Sequence, residues 1–261
     1  MSVNYSDPWR EKEKRAEQAK KIYNHFKTHD KRNTEYSIVH TKHKPARKDD
    51  FMELYKKMGR LPEISVVNQD SVGALIGLPD DAGKVAILNF ASYKNPGGMF
   101  MKGSIAQEEA LCHESNLYNI LFDKRIQDMF YTPNQKRLNR ALYNDNLLYT
   151  PNVQFFRGTS RRVADVITAA APNKGAAQRY QNVSNKECDD AMRSRIRHIL
   201  FAAIEEGVET IILGAYGCGV FKNDPKTVAQ IFKEELVGCP FKAVFAVPGD
   251  KFEIFSSVLG A

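Results

Sequence analysis

The chain has 261 residues, of which 43% are hydrophobic and 26% charged, so it is long enough and apolar enough to bury a substantial core. No run of about 18 apolar residues occurs, which excludes a transmembrane helix. The net charge of +7 lies in residues 1–60, which hold 16 Lys/Arg and 9 Asp/Glu, whereas residues 61–261 hold 22 of each.

These features set expectations about location and organisation. The N-terminus lacks the apolar segment of a signal peptide, and the four cysteines are widely spaced without a CxxC pair, so we expect reduced thiols in a cytoplasmic protein without a membrane partner. The charge distribution predicts a basic helical extension over residues 1–60, packed on a catalytic body over residues 61–261. Basic segments can attract nucleic acid, but acidic residues are interleaved here, which favours a solvated helix face over a nucleic-acid partner.

The predicted elements alternate between helix and strand along the chain. A helix over residues 10–28 is followed by a polar stretch from His29 to Asp50. The later elements are two strands (Ile64–Asn68 and Val85–Phe90), a helix (Gln107–Phe122), a strand (Val163–Ala171), a helix (Asp189–Glu206), a strand (Thr210–Leu213), a helix (Pro225–Leu236), a strand (Ala243–Val247) and a short C-terminal helix. This alternation predicts an α/β domain whose largely parallel or mixed sheet is covered on both faces.

Two glycine-rich loops follow predicted strands and lead into predicted helices. The first is Ala91–Gly103, after the strand Val85–Phe90, and the second is Ala215–Asp224, after the strand Thr210–Leu213. Open α/β sheets bind ligands at the carboxyl ends of their strands, and helix N-termini receive phosphate groups. Glycines also serve ordinary turns, but two such loops together favour an anionic ligand such as a nucleotide diphosphate. Neither loop has the spacing of a P-loop or a dinucleotide fingerprint. The sequence contains no HExxH motif and no cluster of His and Cys, so we do not expect a catalytic metal.

Adjacent carboxylates, Glu108 and Glu109, lie at the start of the helix that follows the first loop. The helix dipole favours acidic residues there, and Ser104 with Gln107 fits a capping box. Neighbouring helical residues project about 100° apart, so the two carboxylates cannot serve the same atom. One suits chemistry and the other suits anchoring of substrate hydroxyl groups. A carboxyl group near a diphosphate has a raised pKa, which favours a general acid for glycosidic chemistry on a nucleotide sugar.

These stretches resemble the poly(ADP-ribose) glycohydrolases, in particular the bacterial-type branch of these macrodomain enzymes. The family signature is three glycines, six to eight residues and then Gln-Glu-Glu; here Gly97-Gly98-Met99 is followed by seven residues and Gln107-Glu108-Glu109. NFAS at 89–92, ITAAAPN at 167–173 and LGAYGCGVFKNDP at 213–225 are also similar to stretches of the family. The resemblance implies a macrodomain-like three-layer α/β/α fold with a mixed, largely parallel sheet and an N-terminal helical extension.

The same resemblance implies roles for individual residues. Glu109 is the catalytic acid/base, and Glu108 holds the ribose whose bond is cleaved. The residues that shape the first loop are Gly97, Gly98 and Gln107. Those that cradle the diphosphate are Gly217, Cys218, Gly219 and Val220, and Phe221 packs on the ligand. Asp70 matches the aspartate that receives the adenine amino group, although a turn or helix N-cap explains it equally well. Ser92 and Asn173 lie at strand ends facing the same site, where turn roles also account for them.

The implied function is hydrolysis of ribose–ribose O-glycosidic bonds in poly(ADP-ribose) on modified proteins, by a monomer that needs no metal or organic cofactor. Met99 departs from the family's third glycine, and its side chain fills space that the next ribose of a polymer needs. A mono-ADP-ribosyl-acceptor hydrolase on the same scaffold is therefore an alternative. A non-catalytic ADP-ribose-binding module is another, but the Glu108–Glu109 pair argues against it because such a module needs no acid.

Overall fold

The computed structural model describes residues 8–46, 57, 59 and 62–260. The strands are β1 (Lys42–Lys44), β2 (Ile64–Val67), β3 (Val85–Phe90), β4 (Leu147–Arg157), β5 (Ser160–Ala169), β6 (Thr210–Leu213) and β7 (Lys242–Ala246). The helices are α1 (Pro8–Thr28), α2 (Lys31–His40), α3 (Ser71–Ile76), α4 (Gln107–His113), α5 (Leu117–Leu121), α6 (Lys124–Ile126), α7 (Thr132–Gln135), α8 (Lys174–Gln181), α9 (Asn185–Glu205), α10 (Pro225–Leu236) and α11 (Phe252–Leu259). Shorter turns are 3-10 at Phe100–Lys102, Asn139–Ala141 and Gly249–Lys251 and π-helical at Gln127–Tyr131. Among the described helices, none is long and apolar enough to span a membrane.

One sheet orders the strands as β1-β4-β5-β3-β6-β7-β2. β5, β3, β6, β7 and β2 run parallel, whereas β4 is antiparallel to both of its neighbours. The prediction of a mixed, largely parallel sheet is therefore confirmed. Because parallel strands end at the same edge, the loops that follow β2, β3, β6 and β7 meet there.

Helices cover both faces of the sheet and complete three layers. Along β3, Ala86 and Leu88 join one apolar core, and Val85 and Ile87 join the other, because side chains alternate along a strand. The first core is closed by α9, α10 and α11, and the second by α1, α3, α4 and α5. The predicted α/β/α arrangement is confirmed.

The predicted polar stretch from His29 to Asp50 contains regular structure in its described part, which ends at residue 46. Helix α2 buries Ser37 and Ile38 and packs against β4, and β1 pairs with β4 at the edge of the sheet. The sequence pattern missed α2 because its buried face holds a single large apolar residue. Since β1 adds a strand to the sheet of the body, the division of the chain at residue 60 stays a prediction.

Strand β4 was not predicted because Pro151 and Asn152 are residues typical of a turn. In the structure they form a bulge within the strand, where the pairing register with β5 shifts between Thr150 and Val153. Asn152 adopts a left-handed conformation with φ of 61° at this bulge. The strand therefore continues through a sequence that reads as a break. Helix α8 also lies in a region where no element was predicted.

The predicted helix over Gln107–Phe122 is interrupted between α4 and α5. Ser115 forms an isolated bridge with Phe155 of β4, and the Phe156 N–H donates to the Glu114 carbonyl at 2.8 Å. These bonds to a strand that the sequence did not reveal remove the backbone groups that a continuous helix would use. The prediction of one helix is wrong, but its first turn, with both glutamates, is placed as predicted.

Helix α1 packs against the 3-10 turn that follows the paired glycines, and Gly103 is the contact point. The Arg15 side chain donates to the Gly103 carbonyl at 2.8 Å. Gly103 has φ of 76°, and an added Cβ would overlap the carbonyl oxygen of Lys12 in α1. Helix α1 of the extension therefore packs so closely on the first glycine-rich loop that a methyl group on Gly103 would not fit between them.

We expect Gly103→Ala to lower the free energy of unfolding by about 2–4 kcal/mol, because backbone strain and overlap with α1 add together. Gly207→Ala is the matched control, since Gly207 has φ of 67° with open space around it. It should lose only about 1 kcal/mol, the contribution of the strain. Urea unfolding of the three proteins measures both values; equal losses would show that α1 does not restrict this position.

Candidate active site

A cleft of about 820 Å³ opens at the edge where the parallel strands end. Its walls are the start of α3, the loop after β3 with α4, the loop after β6 and the loop after β7. The predicted site residues that line it are Asp70, Ser92, Gly98, Gln107, Glu108, Glu109, Gly217, Gly219, Val220 and Phe221. The fold thus brings both glycine-rich loops and both glutamates to one cavity.

Three predicted site residues lie behind this lining. Gly97 packs against the Tyr118 ring, which a Cβ would overlap. Cys218 is buried, and its thiol donates to the Tyr216 carbonyl. Asn173 is the N-cap of α8, where its side chain accepts the Ala176 N–H at 3.1 Å. Asn173 therefore has a local structural role, as a helix cap rather than the turn residue considered from the sequence, and direct ligand contact by these three residues stays a prediction.

Glu108 is held through both of its oxygens. It is 3% exposed and accepts the Ser92 N–H at 2.7 Å and the Asn89 side-chain amide at 3.2 Å. Burial raises the pKa of the Glu108 carboxyl to about 8, although the hydrogen bonds from Ser92, Asn89 and the Gly97 N–H oppose this shift. Glu108 is therefore a fixed group whose position is set by the end of β3 and the loop beyond it.

Glu109 is buried too, but only one of its oxygens is engaged by protein. Its Oε1 accepts the Met99 N–H at 2.8 Å. Its Oε2 has no hydrogen-bond partner in the described part of the chain, although the residue is only 6% exposed. A buried acceptor without a partner is uncommon and indicates a group reserved for a ligand or a reaction. The two glutamates thus differ in their surroundings, one held through both oxygens and one with a free oxygen, and their predicted roles toward the substrate stay predictions.

The backbone of the first loop brings it close to these carboxylates. Gly97 and Gly98 have φ of 62° and 58°, values that favour glycine. A Cβ on Gly98 would overlap Oε1 of Glu109, so the loop can approach the carboxylate only with glycine there. Met99 has φ of −111°, a value open to any residue. The third position of the signature therefore does not need glycine for its backbone.

Gln107 ties α4 to β3 and α3. Its amide donates to the Leu88 carbonyl at 2.8 Å and to the Ser71 hydroxyl at 3.1 Å, and its oxygen accepts the Phe90 N–H at 2.9 Å. The alternative reading of Gln107 as part of a capping box with Ser104 is wrong, because the residue before the helix is Ala106 and makes no side-chain cap. Gln107 shapes the first loop by fixing where the glutamate helix begins.

The loop after β6 is built to expose backbone N–H groups. Gly217 has φ of 72°, and the Asn223 amide donates to its carbonyl at 3.0 Å, which closes the loop. Among the described residues, no protein acceptor takes the N–H groups of Gly219, Val220 and Phe221. Successive free N–H groups form a concave anion site, and α10 begins directly after the loop with its dipole favouring negative charge.

Asp70 lines the cleft and is the N-cap of α3. Its Oδ1 accepts the Gly73 N–H at 2.8 Å, so the N-cap role considered from the sequence is confirmed. Arg157 holds the same carboxylate at 2.8 Å and also pairs with Glu114, the residue that follows α4. The carboxylate still lines the cleft, and its contact with adenine stays a prediction.

Several functional candidates were missed from the sequence. Phe90 and Lys251 line the cleft, and Asn89 supports Glu108 from the floor of the sheet. Lys251 follows β7, whose carboxyl end faces the same edge as those of β3 and β6. Applying the rule for parallel strand ends to this third strand would have identified Lys251. Nothing local in the sequence indicates the bond between Asn89 and Glu108.

The raised pKa of Glu108 predicts how stability depends on pH. Between the ordinary carboxyl pKa of 4.5 and about 8, the folded state keeps a proton that the unfolded chain has lost, so the free energy of unfolding falls as pH rises through this range. Glu108→Gln removes the titration and should flatten the fall by an amount on the order of a few kcal/mol. Urea unfolding of both proteins from about pH 5 to about pH 8 tests this. Parallel curves would contradict a raised pKa.

Comparison with known proteins places this geometry in a family. The family model described as "Microbial-type PARG, catalytic domain" matches residues 10–158, more than half of the chain. No curated protein sequence matches significantly.

Solved structures are similar over almost the whole chain. Poly(ADP-ribose) glycohydrolase from Deinococcus radiodurans, in complex with ADP-ribose, is 31% identical with a TM-score of 0.78, covering 87% of this chain and 97% of that one. The enzyme from Thermomonospora curvata, bound to the inhibitor ADP-HPD, is 28% identical with a TM-score of 0.80, covering 94% of this chain and 99% of that one. The same family is indicated by the paired glutamates, the paired glycines and the chain-wide similarity. The chain belongs to the microbial-type poly(ADP-ribose) glycohydrolase family.

Proposed function

We propose that this protein hydrolyses the ribose–ribose O-glycosidic bonds of poly(ADP-ribose) and so removes ADP-ribose from modified proteins. Its family supports this reaction, since the matching model is that of a catalytic domain. The observation that carries the proposal is the free Oε2 of Glu109, buried in the same cleft as the free N–H groups of the loop after β6. An acid and an anion site in one cleft are what a glycosidase for a nucleotide sugar needs.

The cleft offers a complementary group for each part of ADP-ribose. The diphosphate lies on the N–H groups of Gly219, Val220 and Phe221, which donate hydrogen bonds as in other anion sites. Asp70 accepts a hydrogen bond from the exocyclic amine of adenine. Lys251 adds a positive charge to the lining that favours the anionic ligand. Glu108 accepts a hydroxyl of the ribose whose bond is cleaved.

Catalysis then uses Glu109 twice. As a carboxylic acid it donates a proton from Oε2 to the leaving oxygen, while the bond from that oxygen to the anomeric carbon breaks and positive charge develops on the ribose. The resulting carboxylate takes a proton from the attacking water, whose hydroxyl bonds to the anomeric carbon. The Met99 N–H holds Oε1 throughout, which leaves Oε2 free to carry the proton.

The proposal extends to organisation and location. We take the protein to be a cytoplasmic monomer that acts on ADP-ribosylated proteins rather than on nucleic acid. The four cysteines are free and buried, which suits a reducing compartment. The packing of α1 on the turn Phe100–Lys102 supports a helical extension, residues 1–60, seated on a catalytic body, residues 61–261.

Met99 supports a second candidate function, the hydrolysis of single ADP-ribose units from an acceptor. Its side chain is 42% exposed and lines the cleft beside Glu109, where the group beyond the cleaved bond must pass. A methionine there narrows the route, but its flexible side chain can adopt other rotamers. The polymer remains the favoured substrate because the family acts on it.

The test compares initial rates on poly(ADP-ribose) and on a mono-ADP-ribosylated protein, with Glu109→Gln as the blank. We expect kcat/KM to be about tenfold or more higher for the polymer than for the mono-ADP-ribosylated protein. In the polymer the leaving group is a second ribose, and a site that hydrogen-bonds this ribose loses those bonds when the leaving group is a protein side chain. A higher value on the mono-modified protein would instead support the second candidate. Binding of ADP-ribose without turnover of either substrate would support a non-catalytic module.

A further inference from the structure

Four segments beside the cleft contain basic residues and no acidic ones, although Glu108, Asp145 and Asp224 directly follow three of them. Residues 91–107, 132–144, 170–182 and 214–223 contain eight Lys/Arg and no Asp/Glu, although the body as a whole, residues 61–261, holds 22 of each. Two of the eight cations are engaged by acids on α9, since Arg140 pairs with Glu187 and Lys174 with Asp189. The remaining six cations make the surface beside the site positively charged.

Four of these cations form what we call the cationic rim: Lys94, Lys136, Arg137 and Lys222. All four are exposed, and none takes part in an ion pair within the part of the chain that the structure describes. Hydrogen bonds to the backbone fix two of them, since Tyr93 donates to the Arg137 carbonyl at 3.0 Å and Gln135 to the Lys94 carbonyl at 2.9 Å. Lys222 follows Phe221, which lines the cleft.

The rim rests on a stack of aromatic rings that continues into the cleft. Tyr93 stacks on Tyr143 with centroids 4.2 Å apart, and Tyr143 meets Phe221 edge to face at 6.1 Å. Lys94 directly follows Tyr93 in the chain, and Lys222 directly follows Phe221. The cations are therefore presented on a rigid support that is continuous with the wall of the site.

The segment that supplies Tyr143 is held in a strained conformation. Asn139, Arg140, Ala141 and Tyr143 all have φ between 44° and 65°. Arg195 of α9 is 1% exposed and restrains this segment through bonds to the Leu142 carbonyl and to Asp145 at 2.7 Å. Such strain persists only where the surroundings enforce it, and it gathers at functional sites.

We propose that the cationic rim binds the pyrophosphate of the neighbouring ADP-ribose unit in the polymer, the unit that is linked to the one in the cleft. This inference rests on the proposed function. The bond that Glu109 addresses joins the two units, so the neighbour lies outside the cleft, beyond the loop Ala91–Gly103 that carries Lys94. Its pyrophosphate is anionic and meets exposed ammonium and guanidinium groups, none of which is paired with a carboxylate in the part of the chain that the structure describes.

The test measures binding in the Glu109→Gln background, so that polymer is not consumed. Lys94→Gln/Lys136→Gln removes two rim charges, and Lys124→Gln/Lys242→Gln is the control, because these exposed lysines lie elsewhere, with Lys242 at the opposite end of the sheet. At about 0.1 M salt, the rim variant should bind a short poly(ADP-ribose) about five- to tenfold more weakly than the control. Its log–log salt slope should be shallower by about one unit or more. Both variants should bind free ADP-ribose within about twofold of the parent.

Equal polymer affinity and equal salt slope in the two variants would overturn the proposal. So would equal competition by an oligonucleotide of the same charge, which would make the rim a general polyanion surface. The outcome is separable from the proposed function, which is judged by turnover in the unsubstituted protein. Rim-dependent binding without turnover would support the rim and contradict the hydrolase, whereas turnover without rim dependence would do the reverse.

Discussion

Replacing Glu109 by glutamine should lower kcat on poly(ADP-ribose) by at least about a hundredfold, the usual scale for loss of a general acid–base group. The amide retains an oxygen to accept the Met99 N–H, so the side chain keeps its place. It cannot donate the proton of a carboxylic acid or take one from water. Affinity for ADP-ribose, measured by calorimetry, should stay within a few-fold because the diphosphate and adenine contacts are untouched.

Glu253→Gln is the control for this change, since it makes the same chemical substitution at an exposed position of α11. It should leave turnover unchanged. If Glu109→Gln retains turnover within about tenfold of the parent, the chemistry belongs to another group, and Glu108 becomes the first candidate.

Replacing Gly98 by alanine should lower kcat/KM by about a hundredfold, although the substitution changes no group that reacts. The added Cβ would overlap Oε1 of Glu109 and lie 3.2 Å from Oε2 of Glu108, so both carboxylates must move or the loop must withdraw. Either movement breaks the bond from the Met99 N–H that orients Glu109. A displacement of about 1 Å at a catalytic group is enough for an effect of this size.

Gly158→Ala separates this effect from backbone strain. Gly158 has φ of 59° against 58° at Gly98, but it lies in the β4–β5 hairpin with no atom within 4 Å of the added Cβ. The control should lose about 1 kcal/mol of stability and keep its activity. Similar kcat/KM values for the two alanine variants would show that the loop tolerates a side chain beside Glu109.

Where the sequence carries a strong local pattern, it predicted the fold closely. The bounds of β3, β6 and α10 are those predicted, because β3 and β6 are buried apolar runs and α10 starts with an Asp224 cap and Pro225. Strand β4 and the break after α4 could not be predicted in the same way. Each depends on the other through the bridge between Ser115 and Phe155, a contact between distant parts of the chain.

The features of the candidate site can also be separated into those with a local sequence signal and those that depend on contacts between distant parts of the chain. Its glycine loops and paired glutamates are local signals, and the fold places most of them at one cleft as the sequence predicted. What distinguishes the two glutamates is not local. Asn89 and the Ser92 N–H hold Glu108, and the Met99 N–H holds one oxygen of Glu109, so the free oxygen could be identified only with the strands assembled.

The most direct test of the central claim, that the cleft cleaves a glycosidic bond through Glu109, is identification of the products released from poly(ADP-ribose). Mass spectrometry of the soluble fraction should show free ADP-ribose accumulating with the unsubstituted protein and not with Glu109→Gln. Cleavage of the C–O bond at the anomeric carbon leaves every pyrophosphate intact. AMP or phosphoribosyl-AMP as the main product would mean that the diphosphate is attacked instead, and would contradict the account.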